Sequence, residues 1–360
     1  MKLIKEYKKT FTLPFREKIP VYIENYLQEK NNPSRIIKFY KRYLFLLING
    51  QIKFESEHIK VEHKKILWIN LSAPSLGDSL MDLSSRILLK DKEIDLFTSK
   101  KNSTLYDSDE YFSNIFTSID HLKYNTYDLI IVDSYSTRTI AIKNKIAKYS
   151  EFVTMFGFYN GPEINRILFS FNRMNQLLSY KYKKNELDLI TKPYLSISDS
   201  DHNIVSKKLP SNTFITIVLG GEWEYRTYKY WLKVISKIFT EDKSLNIVLL
   251  GSMNALSESE KILGTFEHKR KIFNLVNKLT FNQTAECIRR ARLVMCCDGG
   301  LMHAAIAMGT PILALMARVE PRMRFPFNGI KRAIYSDANV NDISPDEVYL
   351  KYLTLIKDIS

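Results

Sequence analysis

The stretch Cys297-Asp298-Gly299-Gly300-Leu301-Met302-His303-Ala304-Ala305-Ile306-Ala307-Met308-Gly309-Thr310-Pro311 holds the plan of the chain in miniature. Residues 293–297 are a short apolar run that stops at Asp298. Two glycines follow, suited to a tight turn, and a helix of small residues opens at once. A strand feeding directly into a helix is the unit of a parallel sheet with right-handed crossovers. The free N–H groups and dipole of the helix start favour a phosphate, and glycines let a ligand approach the backbone closely. Asp298, at the end of the strand, is placed to accept bonds from sugar hydroxyls. His303 alone reads as an ordinary helix histidine.

The same order recurs on the N-terminal side. Residues 65–71 are apolar and lead through Asn70-Leu71-Ser72-Ala73-Pro74-Ser75-Leu76-Gly77-Asp78 into a helical spacing of Leu80, Leu83 and Ile87. That spacing predicts one helix over residues 78–89. Further strands are expected at 94–97, 127–133 and 152–156, the second being the near-continuous apolar run of a strand covered on both faces. After a polar connector at 180–212, strands are expected at 214–219, 246–250, 293–297 and 311–315. Helices fall at 228–239, 257–266, 282–291 and 301–308, and a capping box opens a last helix at Ser344-Pro345-Asp346-Glu347. The fold class is therefore α/β, with two doubly wound, Rossmann-like domains at 63–195 and 196–340 and a C-terminal helix at 341–360. Their carboxyl edges are expected to point into one cleft, where ligands bind.

Composition closes other routes. With 45% hydrophobic and 26% charged residues the chain is globular, and no apolar run is long enough to span a membrane. No secretory leader is visible, so a cytoplasmic location is expected. Three cysteines, Cys287, Cys296 and Cys297, without CxxC spacing or clustered histidines suggest neither a disulfide framework nor a metal site. Asp199-Ser200-Asp201 is a DxD, but it lies in a polar connector and reads as an acidic turn. The formal charge is +14, and residues 1–65 carry 15 Lys and Arg against 7 Asp and Glu, a net of +8. Residues 1–62 therefore read as a basic, mostly helical extension, with Tyr22-Ile23, Tyr26-Leu27 and the stretch from Ile36 to Leu47 at helical spacing. An anionic partner fits this segment, and its aromatics show no nucleic-acid pattern.

Two more loops could carry chemistry. Asp78 follows the first strand of its domain, where a general base would be placed. The equivalent loop of the second domain, Gly220-Gly221-Glu222-Trp223-Glu224-Tyr225-Arg226-Thr227-Tyr228-Lys229, offers two cations suited to a pyrophosphate leaving group.

Together these loops resemble glycosyltransferase family 9, the ADP-heptose:lipopolysaccharide heptosyltransferases, which have the GT-B architecture. The resemblance spans about residues 64–358 and rests on Ser75-Leu76-Gly77-Asp78, Tyr127-Asp128-Leu129-Ile130-Ile131 and the block from Leu279 through Asp298 and His303 to Pro311. It implies inverting, metal-independent transfer of heptose from ADP-heptose to a hydroxyl of the lipopolysaccharide inner core, with no cofactor. It places Asp78 on the catalytic carboxylate and Ser75, Leu76 and Gly77 on the acceptor-side loop. Asp298 falls on the sugar-contacting Asp, Gly299, Gly300 and Leu301 on the diphosphate-binding backbone, and His303 on the motif histidine. The ribose-contacting Glu is Glu258 or Glu260, and either Arg226 or Lys229 takes the phosphate. Gly299 stands where the family usually has Ser or Thr. Other readings keep the GT-B chemistry with another sugar or a protein acceptor, or make the chain a silent scaffold. A lipid-linked acceptor would put the enzyme at the inner face of the inner membrane, with residues 1–62 on its anionic surface.

Overall fold

Lys65–Asn70 (β1) is almost wholly apolar between its ends, and five of its six residues are buried. Runs of this kind sit inside parallel sheets, covered on both faces. In the computed structural model, which describes residues 2–23, 31–266, 271–326 and 331–359, the chain divides into two units, Met1–Thr191 and Lys192–Ser360.

The first unit holds β1, Glu93–Thr98 (β2), Asn114–Phe116 (β3), Leu129–Val132 (β4) and Glu151–Thr154 (β5) in the order β3-β2-β1-β4-β5. Every pair is parallel. The second holds Phe214–Val218 (β6), Asn246–Leu250 (β7), Ile272–Asn274 (β8), Val294–Cys297 (β9), Ile312–Ala317 (β10) and Lys331–Ser336 (β11). Their order is β11-β10-β9-β6-β7-β8, again all parallel. In each sheet the strand order reverses beside the first strand, between β1 and β4 and between β6 and β9. Ligands of doubly wound sheets bind outside the carboxyl ends at such a switch point. Each unit thus carries one doubly wound, Rossmann-like parallel sheet.

Three strands differ from expectation by being there at all. β3 and β8 have three residues each and lie at sheet edges, and β11 is the other edge of its sheet. Short edge strands carry too few residues to show a period. The helix expected over 78–89 is also shorter. An α-helix spans Leu76–Asp82 and a 3-10 segment takes over at Ser84–Leu89. Serine hydroxyls account for the change. Ser84 Oγ donates back to the Leu80 carbonyl at 2.7 Å, and Ser170 Oγ donates to the Asp82 carbonyl at 2.7 Å while lying 2.8 Å from Ser85 Oγ. At the last helix, Pro345–Asp358, the Ser344 half of the expected box is present: its hydroxyl accepts from the Glu347 N–H at 3.1 Å.

The described parts of residues 1–62 pack into the first unit. Phe39 and Leu46 of the Pro33–Ile48 helix are buried in one core with Leu67, Ile69, Ile130, Val132 and Phe152. Val21 bridges Ile164, and Glu55 bridges Phe152. Gln51 is buried and accepts from Lys143 Nζ at 2.6 Å; burial lowers that lysine to about 8. The Tyr26-Leu27 part of the first expected helix lies outside the described residues. No helix among the described residues is long and apolar enough to cross a membrane.

Candidate active site

In the first unit, β1 leads through residues 71–74 to Ser75, the N-cap of Leu76–Asp82. Its hydroxyl accepts from the Asp78 N–H at 3.2 Å and donates to Asp78 Oδ2 at 2.5 Å. Asp78 thus sits in the first turn with one oxygen held by its own cap. Its other oxygen, Oδ1, lies 3.8 Å from Arg166 Nε, and the side chain remains 24% exposed. Leu76 and Gly77 are the first two helical residues, Gly77 buried.

Arg166 is a residue the sequence reading missed. It opens the helix Arg166–Leu177, capped by Asn165, and its guanidinium grips Asp82 through two bonds, Nε–H to Oδ1 at 2.8 Å and Nη2–H to Oδ2. Asp82 is 3% exposed, and burial raises its carboxyl to about 6 against the opposing pull of Arg166. The loop itself is stapled across the switch point by Asp133, at the end of β4. Its Oδ2 accepts from Leu71 N–H at 2.8 Å and Ser72 N–H at 2.6 Å.

In the second unit four loops leave the carboxyl ends of adjacent strands. After β6, Gly220 adopts φ +75°, a conformation costly for residues with a side chain. Gly221 is tighter still: a Cβ there would lie 2.6 Å from the Arg226 carbonyl oxygen. This packing turns Arg226 inward. Its Nη1 lies 3.3 Å from Asp298 Oδ2, and Arg324 Nε approaches the same oxygen at 3.5 Å. Asp298 is buried, and its N–H donates to the Leu315 carbonyl at 3.1 Å. Arg324 was also missed. It follows β10, with Arg318 and Arg322 before it, so a cluster of cations after a strand was the available signal.

Of the two cations expected at the phosphate, the structure brings Arg226 to Asp298. Lys229 is exposed and its Nζ pairs with the exposed Glu224 at 2.9 Å. After β7, Glu258 stands in the first turn of Leu256–Thr265 with Oε1 buried and without a hydrogen-bond partner among the described residues, and burial raises its pKa. Glu260 is exposed.

After β9 the chain bends at Asp298 and Gly299 and enters the helix at Gly300, a two-residue connection. Gly299 has φ 173°, extended backbone open to any residue, and Gly300 is the first residue of Gly300–Met308. What Gly299 leaves is room, since a Cβ there would meet nothing within 4 Å. Leu301 is half-buried, and His303 is buried in the first turn. Cys297 precedes this turn, and burial pushes its thiol up to about 12. Asp199 and Asp201 open the helix Asp199–Ser206, where Ser198 Oγ donates to Asp201 Oδ2 at 2.8 Å and accepts from its N–H at 2.9 Å. Among the described residues no three of His, Cys, Asp and Glu are grouped to hold a metal ion.

Residues 171–347 match the family described as glycosyltransferase family 9 (heptosyltransferase). No curated protein sequence matches the chain. Among solved structures, a family 9 glycosyl transferase from Veillonella parvula is 15% identical at TM-score 0.68, covering 84% of this chain and 100% of that one. The ADP-heptose lps heptosyltransferase II of E. coli is 18% identical at TM-score 0.61, covering 82% of this chain and 99% of that one. The dodecameric glycosyltransferase TibC of enterotoxigenic E. coli, described as iron-containing, is 11% identical at TM-score 0.53, covering 84% and 78%. At these identities the likeness establishes the fold.

Proposed function

As a glycosyltransferase with a family 9 (heptosyltransferase) domain over residues 171–347, this chain, we propose, transfers heptose from ADP-heptose to a hydroxyl of the lipopolysaccharide inner core, with inversion and without a metal ion. The observation that carries the reading is the buried Asp298 carboxylate between Arg226 and Arg324, beside a helix start, at the switch point of the second sheet. Two guanidinium groups and the N–H groups of Gly300 and Leu301 are complementary to a diphosphate. With donor bound, the cations turn to the phosphates and Asp298 accepts from sugar hydroxyls. Glu258, whose Oε1 has no partner among the described residues, takes the ribose hydroxyls. Lys229 and His303 border the site, with Lys229 at its exposed edge.

In the first unit Asp78 is the base. It takes the proton of the acceptor hydroxyl as that oxygen bonds to the anomeric carbon, and the bond to ADP breaks on the opposite face. The charge leaving with ADP is met by Arg226, Arg324 and the helix start, which is the work a metal ion would otherwise do. Ser75 fixes one oxygen of Asp78, and the Arg166–Asp82 pair holds the other side of the carboxylate in register. Because the proposed acceptor is lipid-linked, the enzyme works at the inner, anionic face of the inner membrane, reached through residues 1–62.

Thermal shift with ADP-heptose, ADP and UDP-sugars tests the donor half. Stabilisation by ADP-heptose and ADP but not by uridine nucleotides is expected. Preference for a uridine nucleotide would replace the donor, and no shift with any nucleotide would make the chain a scaffold.

A further inference from the structure

The Pro33–Ile48 helix, Pro-Ser-Arg-Ile-Ile-Lys-Phe-Tyr-Lys-Arg-Tyr-Leu-Phe-Leu-Leu-Ile, is apolar on two opposite sides, and the fold uses one of them. Phe39 and Leu46 are each 3% exposed and point into the core of the first unit. At about 100° per residue, Ile37, Tyr40, Leu44, Leu47 and Ile48 fall on the other side. They are 66%, 42%, 49%, 53% and 80% exposed. Ile52, just beyond the helix, is also 40% exposed. A continuous apolar stripe more than three turns long marks an interaction surface rather than scattered surface hydrophobes.

The charge beside it says which kind. The helix contains no Asp or Glu and four cations, Arg35, Lys38, Lys41 and Arg42. Lys41 and Lys38 follow one another along one border of the stripe, and both are exposed. A second copy of the chain seated on this stripe about a twofold axis would bring two such unbalanced cation sets together. An anionic lipid surface does the opposite: it takes the apolar side chains at its headgroup–acyl boundary and the ammonium groups at the phosphates.

We propose that this outer face of the Pro33–Ile48 helix lies flat on an anionic lipid surface, with Ile37, Tyr40, Leu44, Leu47 and Ile48 in the interface and Lys38 and Lys41 on the lipid phosphates. The inner face stays in the core, so the surface is presented by a rigid helix and needs no segment to fold on contact. The inference deepens the membrane part of the proposed function. Its test contains neither donor nor acceptor, so its outcome is independent of whether heptose is transferred.

Full-length protein is sedimented with phosphatidylglycerol/phosphatidylcholine vesicles and with pure phosphatidylcholine vesicles, at low and high salt. Binding is expected to the anionic vesicles and to weaken with salt. The exposed triple variant Ile37→Ser/Leu44→Ser/Ile48→Ser should lower that affinity roughly tenfold or more, with an unchanged melting temperature. Lys38→Ala/Lys41→Ala should lower it by a similar factor at low salt and much less at high salt. This charge variant leaves the apolar stripe intact and serves as the measurement if the triple variant does not fold. Equal binding to both vesicle types, or full retention of binding by either variant, overturns the proposal. So does a dimer by light scattering that the triple variant converts to a monomer, because the stripe would then be covered by a second copy.

Discussion

Arg166→Met separates what a buried ion pair does for the fold from what it does for the reaction. Asp82 is 3% exposed and bonded twice by Arg166, so removing the guanidinium leaves a buried carboxylate without its partner. Losses of this kind run to about 3–5 kcal/mol. The loss depends on pH, and the direction follows from the raised carboxyl. From 3.8 to about 6 is roughly two units, worth about 3 kcal/mol. That contribution to stability is fully present below the unfolded value and is lost as pH rises through 6. Without Arg166 the opposing pull disappears and the folded pKa rises further. At pH 5 Asp82 is protonated in both proteins, so Arg166→Met should cost only about 1 kcal/mol of hydrogen bonding. At pH 8 it should cost the full 3–5 kcal/mol, of the order expected for an unpaired buried charge. Adding Asp82→Asn to Arg166→Met removes the charge and should restore most of the difference at pH 8. Hydrogen exchange over Leu129–Val132, in the centre of the first sheet, reads the opening of that unit alone. Equal destabilisation at pH 5 and pH 8, or no recovery with Asp82→Asn, would refute the reasoning.

In the second unit, Arg324→Ala should weaken ADP binding by about 10–100-fold by calorimetry, as expected for a lost bond to a charged group; an affinity within twofold of wild type removes Arg324 from the phosphate site. Gly221→Ala forces a Cβ to 2.6 Å from the Arg226 carbonyl and should weaken ADP at least tenfold, whereas Gly299→Ser enters open space and should leave affinity and melting temperature unchanged. The opposite ranking by calorimetry would mean the Arg226 loop does not hold the donor. Transfer activity should survive excess EDTA; loss restored by Mg²⁺ or Mn²⁺ would revive Asp199 and Asp201 as metal ligands.

What the sequence disclosed followed from local pattern. β1, β7 and β9 are continuous apolar runs buried on both faces, and each is legible without knowledge of its neighbours. β3 and β8 are three residues long, too short for any period to register. Site residues divide in the same way. Ser75, Asp78, Asp298 and Arg226, as candidates, lie in the loops and helix starts that follow apolar strands, where a switch point can be anticipated. Arg166 lies 84 residues from Asp82, and their pairing exists only once the Arg166–Leu177 helix packs on Leu76–Asp82. Arg324 reaches Asp298 because β10 lies beside β9. The basic N-terminal segment shows its helix in the sequence but not which side of it is buried. Its charge fits a basic extension, while Phe39 and Leu46 fix the Pro33–Ile48 helix in the core and leave the opposite side of the same helix bare.

The central claim is that Asp78 removes the acceptor proton during transfer from ADP-heptose. Its most direct test is the acceptor-dependent rate of ADP release by Asp78→Asn, with donor affinity measured on the same sample. The account predicts a rate about 10²–10⁴-fold below wild type with donor affinity within a few-fold, because Asp78 and the donor loops belong to different units. A rate within threefold of wild type would contradict it.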